Sequence, residues 1–201
     1  MNFLQRIFGS AEESPEEKKK ETEARQFDAL KYDGIVALKI GQVDYAVTCF
    51  SHALQLRDDL EIHDHLSVAY IHQNQMANAV NELRLLADAQ PDNQAVWVRM
   101  ARVCYMMEDY DQMAEACERA EAVGAGSAEV SYLYAEARQG QGDKEAAVAL
   151  LGEAIARDEH HGAAYLLRGQ ILMEMDRLEE AETDADYLLE HADLEEDIVL
   201  L

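Results

Sequence analysis

Residues 60–93, which read LEIHDHLSVAYIHQNQMANAVNELRLLADAQPDN, determine the fold. Apolar residues recur at helical spacing in both halves of this stretch: Leu66, Ala69 and Tyr70, then Ala79, Val80, Leu83 and Leu86. The polar pair Asn74-Gln75 separates the halves, and Pro91 ends the second one. The stretch therefore predicts two amphipathic helices, near residues 60–73 and 76–89, joined by a short turn.

The same pattern recurs along the chain. A small residue of the second helix, replaced once by methionine, returns at intervals of 33, 34, 34 and 34 residues: Ala46, Ala79, Met113, Ala147 and Ala181. A period of this length is typical of stacked helical pairs, none of which can bury its apolar face alone. We predict one all-α array of five helix-turn-helix repeats, at about 27–59, 60–93, 94–127, 128–161 and 162–193.

The two ends carry separate signals. We expect residues 1–13 to be a flexible or amphipathic segment whose apolar face would hold Phe3, Leu4, Ile7 and Phe8. Ser14-Pro15-Glu16-Glu17 is a helix-start signature, so the array spans 14–193 with a helical extension from residue 15. Leu194, Ile198 and Leu201 lie at helical spacing, and we expect residues 194–201 to be a tail that caps the last repeat.

Composition limits the classes of function. The chain has 41 acidic and 17 basic residues and a net charge of −24, which repels phosphate backbones, so we expect no nucleic-acid binding. No stretch of 18 or more apolar residues is present, and we do not expect a membrane protein. Cys49, Cys104 and Cys117 lack CxxC spacing and predict buried, reduced thiols in a cytoplasmic protein.

No pattern of residues indicates chemistry. Gly-rich phosphate loops, HExxH motifs and nucleophile elbows are missing from the sequence, so we predict no enzyme and no cofactor. Asp158-Glu159-His160-His161 has metal-ligand types, but adjacent loop residues rarely converge on one ion. We therefore predict no metal site.

The repeats resemble the tetratricopeptide repeat family. The resemblance rests on small and aromatic residues at matching positions: Gly34, Gly41, Ala46, Phe50 and Ala53; Tyr70, Ala79 and Pro91; Trp97, Ala101, Tyr110 and Ala120; Gly142, Ala147 and Ala154; Tyr165, Gly169 and Ala181. It implies a right-handed superhelical solenoid. It also implies that the first helix of each repeat lines a concave groove that binds peptides or proteins.

The resemblance implies these candidate groove residues: Lys31, Tyr32, Ile35, His65, Val68, His72, Arg99, Arg102, Tyr105, Tyr132, Glu136 and Gln170. Arg99 and Arg102 lie one turn apart, where they either hold a ligand carboxylate or pair with neighbouring acids. A family subset binds acidic chaperone tails through a basic clamp. Here only Lys31 and Arg99 match that clamp, so we do not expect this ligand.

The sequence thus favours a protein-protein interaction scaffold or adaptor that binds a peptide or protein segment in its groove. One alternative is a homo-oligomeric structural unit assembled through the repeat ends. A second alternative is an adaptor recruited to a membrane surface through residues 3–8.

Overall fold

The computed structural model describes residues 14–124 and 126–191. These residues form helices and no strands, which confirms the all-α prediction. The helices are α1 (Pro15–Lys39), α2 (Val43–Leu56), α3 (Leu60–His72), α4 (Met76–Ala89), α5 (Gln94–Met106), α6 (Tyr110–Val123), α7 (Ala128–Gly140), α8 (Lys144–Arg157), α9 (Gly162–Glu174) and α10 (Leu178–His191). The predicted segment 1–13 and tail 194–201 lie outside the described residues.

The chain divides into two compact units between Gln75 and Met76. This division falls inside the second predicted repeat, between α3 and α4. The sequence predicts one continuous array and does not indicate the division, because Asn74-Gln75 has the same polar character as the other turns.

In the first unit, α1 starts at a complete capping box. The backbone N–H of Glu17 donates to Ser14 Oγ at 3.2 Å, and the backbone N–H of Ser14 donates to Glu17 Oε2 at 2.7 Å. Helices α1, α2 and α3 then pack in chain order. Their core contains Phe27, Phe50 and Ile62, each of which is at most 1% exposed.

In the second unit, each helix from α4 to α9 packs on the helix that follows it in the chain. The small residues predicted at the second-helix position are buried here, and Met113 is as fully buried as Ala79 and Ala147. One apolar cluster joins α7, α8 and α9 through Ala135, Leu151 and Ile171. Successive packing of neighbouring helical pairs is the arrangement expected of repeats that share one core.

Five turns between paired helices share one backbone conformation. The second residue after each first helix has a positive φ, between 56° and 83°: Gly41, Asn74, Glu108, Gly142 and Asp176. The N–H of the next residue donates to the carbonyl oxygen five residues earlier, for example Asp109 to Cys104 at 3.0 Å. This is the left-handed cap that commonly ends helices, and it recurs with the period of the repeat.

Because Glu108 adopts a conformation that suits glycine, we expect Glu108→Gly to raise the free energy of unfolding by about 0.5–1 kcal/mol. Urea unfolding followed by circular dichroism would measure the change. Gly142→Glu at the equivalent turn is the matched control and should lower stability by a similar amount. A destabilised Glu108→Gly variant would contradict this interpretation of the turn.

Candidate functional site

The candidate site in the second unit lies on the first helices of its repeats. Helix α5 contacts α7 directly, although α6 lies between them in the chain. An open depression of about 380 Å³ lies on these two helices. It is lined by Gln94, Ala95, Val98, Arg99 and Arg102 of α5 and by Ser127 and Glu129 at the start of α7.

The two arginines of this depression already have partners. Arg102 Nη2 forms an ion pair with Glu129 Oε1 across the helices, and Arg99 also takes part in an interaction. Of the two roles that the sequence leaves open, the structure shows pairing with a neighbouring acid for Arg102. The pair is half exposed, so it is held loosely enough for a ligand to compete with it.

Tyr105, Tyr132 and Glu136 form a second feature of this surface, which we call the Tyr-Glu cluster. Tyr132 and Glu136 lie one turn apart on α7, where the Glu136 carboxylate is close enough to the Tyr132 hydroxyl to help raise the pKa of Tyr132. Tyr105 of α5 is close enough to Glu136 for the carboxylate charge to raise the pKa of Tyr105. Tyr105 is 46% exposed. The Tyr132 ring also stacks on the His161 ring, with the ring centres 5.1 Å apart.

The pKa shifts in the cluster follow from burial and from the Glu136 charge. Burial raises the pKa of Glu136 above its ordinary value, and the neighbouring Tyr132 hydroxyl only partly opposes this. Burial and then the charge of Glu136 raise the pKa of Tyr132 to about 12. The charge of Glu136 is the largest cause that raises the pKa of Tyr105. The cluster therefore disfavours any further negative charge.

The predicted groove residues of the first unit are less available to a ligand. Lys31 is only 19% exposed in its side chain, and its Nζ lies 3.1 Å from Asp59 Oδ1 and 2.6 Å from Glu61 Oε2. Burial lowers the pKa of Lys31, but the hydrogen bonds to Glu61 and Asp59 outweigh burial, so its pKa is raised. Lys31 thus joins α1 to α3.

The other first-unit candidates divide into packed and open residues. Ile35 packs against the core, and the His65 ring stacks on Phe50 with centres 5.4 Å apart. Val68 is half-buried. Tyr32 is 68% exposed, and His72 is exposed at the end of α3. The structure does not bring these two open residues into a cluster of the kind seen around Glu136.

Gln170, the last predicted groove residue, belongs to a different surface. It lies in an open and mainly apolar cleft of about 290 Å³ on α9 and α10. Apolar lining residues of this cleft include Leu166, Met173 and Leu178, which are 49%, 56% and 60% exposed. We call it the end cleft, because α9 and α10 are the last described helices.

Comparisons with known proteins support the repeats. A tetratricopeptide repeat family model matches residues 138–192, which hold most of the last two helical pairs. The match identifies tetratricopeptide repeats in this part of the chain. No curated protein matches the chain in sequence.

Solved structures of MamA share the fold. A crystal structure of MamA aligns with a TM-score of 0.74 and 17% identity over 80% of this chain and 94% of that one. A second crystal structure of MamA gives 0.78 and 16%, over 89% and 98%. MamA 41-end from Desulfovibrio magneticus RS-1 gives 0.77 and 15%, over 86% and 98%. At these identities the likeness establishes the helical fold.

The sequence analysis did not predict a buried ion pair between α9 and α10. Arg168 of α9 donates to both oxygens of Asp184 on α10, with Nε–Oδ2 at 2.9 Å and Nη2–Oδ1 at 2.5 Å. The side chain of Asp184 is 2% exposed. The positions that correspond to Asp184 in the other repeats are Leu150, Ala116, Glu82 and Cys49, so an acidic residue also occurs at one of them and the register does not single out Asp184. A buried charge at this position needs a partner.

The remaining candidates show ordinary structural roles. His161 accepts the Ala164 N–H at 3.2 Å and caps α9. Cys49, Cys104 and Cys117 are unpaired and buried, and burial raises the pKa of Cys104 to about 11 and of Cys117 to about 12. Within the described residues, no three His, Cys, Asp or Glu side chains are placed to hold a metal ion. No helix among them is both long and apolar enough to cross a bilayer.

Proposed function

We propose that this chain is a tetratricopeptide repeat protein that acts as a non-catalytic scaffold and binds a peptide or protein segment on α5 and α7. The observation that carries the proposal is the open depression of about 380 Å³ beside the Tyr-Glu cluster. Tetratricopeptide repeats suggest protein partners, and this surface has suitable residues for one. It combines exposed aromatic area, apolar Val98 and polar groups that can exchange partners.

Tyr105 and Arg102 are expected to contribute most to binding. Tyrosine and arginine are enriched among residues that dominate protein interfaces, because each offers a large contact area and a polar group. Tyr105 is 46% exposed, so a ligand can still cover much of its ring. Arg102 can exchange its half-exposed partner Glu129 for a ligand group.

Selection of peptides tests the proposal. A random library of dodecapeptides displayed on phage is selected on the full chain, and enriched peptides are then measured by fluorescence anisotropy. We expect Tyr105→Ala and Arg102→Glu each to weaken peptide binding by about tenfold or more, as expected for central interface residues. The matched controls are Tyr45→Ala on α2 and Arg119→Glu on α6, which alter exposed residues of the same types.

The controls decide the result. If the two control variants bind the peptides like the unchanged chain while the α5 variants do not, the surface on α5 and α7 is the binding site. If enriched peptides bind equally to all four variants, or if no peptide is enriched, the proposed site is wrong.

We further propose a cytoplasmic location. The three cysteines of the chain are unpaired in the structure, and reduced thiols are typical of a reducing compartment. Fractionation of the source cells with an antibody against the chain would test this. Recovery mainly with a membrane fraction would instead favour recruitment through residues 3–8.

We also infer that residues 194–201 cover the end cleft. Leu188 lines this cleft and α10 ends at His191, three residues before Leu194. Three residues span up to about 10 Å when extended, so the tail is long enough to reach the cleft. Leu194, Ile198 and Leu201 would supply apolar side chains that cover the exposed apolar lining of the cleft.

Removal of these apolar side chains is therefore expected to be destabilising. Replacing Leu194, Ile198 and Leu201 with serine should lower the free energy of unfolding by about 2–4 kcal/mol. The reason is that three apolar side chains no longer cover the cleft and its lining is exposed to water. Urea unfolding measures the change. The matched control replaces Asp193, Glu195 and Glu196 with serine and should unfold like the unchanged chain.

Self-association is the competing outcome. If the leucine and isoleucine replacements leave unfolding unchanged, the tail does not cover the cleft. A dimer of the unchanged chain that Leu166→Ser and Met173→Ser dissociate would then assign the cleft to a second copy.

A further inference from the structure

We propose that the Tyr-Glu cluster is a subsite for a cationic side chain, a lysine or an arginine, of the bound segment. This inference rests on the proposed function and specifies the chemistry of its ligand. It concerns Glu136 of α7, with Tyr132 on the same helix and Tyr105 on α5.

Glu136 has no internal cation among the described residues. Other carboxylates near this surface do: Glu129 pairs with Arg102, Glu118 with Arg138 and Glu121 with Arg157. The neighbouring Tyr132 hydroxyl lowers the pKa of Glu136, but burial outweighs this effect. A half-buried carboxylate that lacks a counter-charge is costly, and a cation from a partner would compensate it.

The aromatic rings of Tyr132 and Tyr105 also favour a cation. The faces of tyrosine rings attract lysine and arginine, and the attraction is larger where water is partly excluded. Tyr132 is held in place by its stacking on His161, so its ring is preorganised. Tyr105 is exposed enough to close over a bound side chain.

A metal ion fits this cluster less well. Calcium takes six to eight oxygen ligands and magnesium takes six, whereas the cluster offers one carboxylate and two phenol oxygens. A protein cation needs only one carboxylate and a ring face. The net charge of −24 would in addition attract a basic segment during encounter.

The enriched dodecapeptides provide the test. We expect them to contain lysine or arginine at one preferred position. Replacing that residue with norleucine, which keeps the alkyl chain and removes the charge, should weaken binding by about tenfold, as expected for a partly desolvated charge pair. Glu136→Gln in the protein should weaken binding of the lysine peptide equally and leave the norleucine peptide unaffected.

A charge exchange makes the test specific. Glu136→Lys should reject the lysine peptide and accept its glutamate counterpart, because the attraction is restored with the signs reversed. Glu115→Gln on α6 removes the same charge from an exposed site and should leave binding unchanged. This control separates the effect of the Glu136 charge from that of the net charge of the chain. Glu136→Gln should not reduce thermal stability, since the carboxylate has no internal cation to lose.

The outcomes separate the two proposals. Peptides that depend on Tyr105 but show no basic preference, or that bind Glu136→Gln unchanged, would overturn the cationic subsite and leave the scaffold proposal intact. Peptides that do not depend on Tyr105 would overturn both.

Discussion

Phe50→Ala is expected to lower the free energy of unfolding by about 3–5 kcal/mol. Phe50 is fully buried in the core of the first unit, where its ring contacts Gly34 of α1 and stacks on His65 of α3. Removal of the ring would leave a cavity between three helices that cannot collapse without moving one of them. Urea unfolding followed by circular dichroism at 222 nm would measure the loss.

Gly34 provides a sharper form of the same test. A Cβ atom at Gly34 would lie 2.5 Å from Phe50 Cε1, so Gly34→Ala should destabilise the unchanged protein by about 1–3 kcal/mol. In the Phe50→Ala background the same substitution should stabilise by up to about 1 kcal/mol, because alanine is the better helix former. An effect of the same sign in both backgrounds would contradict this packing.

Asp184→Ala is the second substitution with a large expected effect, again a loss of about 3–5 kcal/mol. It removes a carboxylate that is 2% exposed and leaves the Arg168 guanidinium, 23% exposed, without its partner. The free energy of unfolding from urea titration would report the loss. Replacing both residues, as Arg168→Met with Asp184→Leu, should recover most of it, because no uncompensated charge then remains.

The exposed pair between Arg177 and Glu180 is the matched control. It has the same two-bond geometry, with Nε–Oε1 at 2.7 Å and Nη2–Oε2 at 2.5 Å, but lies on the surface. Glu180→Ala should change stability very little, since water screens exposed pairs. Equal losses of stability for Asp184→Ala and Glu180→Ala would contradict the claim that burial of the Arg168–Asp184 pair causes the large loss.

Much of the fold could be predicted from the sequence, because the information is periodic and local. The helices expected near residues 60–73 and 76–89 occur at Leu60–His72 and Met76–Ala89. Helical spacing and one proline suffice for this prediction. The common left-handed turn was missed, since only two of its five positions are glycine and the polar residues between them give no distinct signal.

The site was harder to predict, because its chemistry depends on contacts between repeats. The resemblance to the family identified Arg102, Tyr105, Tyr132 and Glu136 as candidates without assigning them partners. The pairing of Arg102 with Glu129 spans 27 residues, and that of Lys31 with Asp59 spans 28. Such pairs depend on side-chain directions across neighbouring helices, which a single sequence does not specify.

The central claim is that α5 and α7 bind a protein segment. It is tested most directly by titrating the ¹⁵N-labelled chain with the tightest enriched dodecapeptide and following amide chemical shifts. The account predicts the largest chemical-shift changes on α5 and α7, at residues such as Val98, Tyr105, Tyr132 and Glu136. Changes confined to α6 and α8, or to the end cleft on α9 and α10, would contradict it.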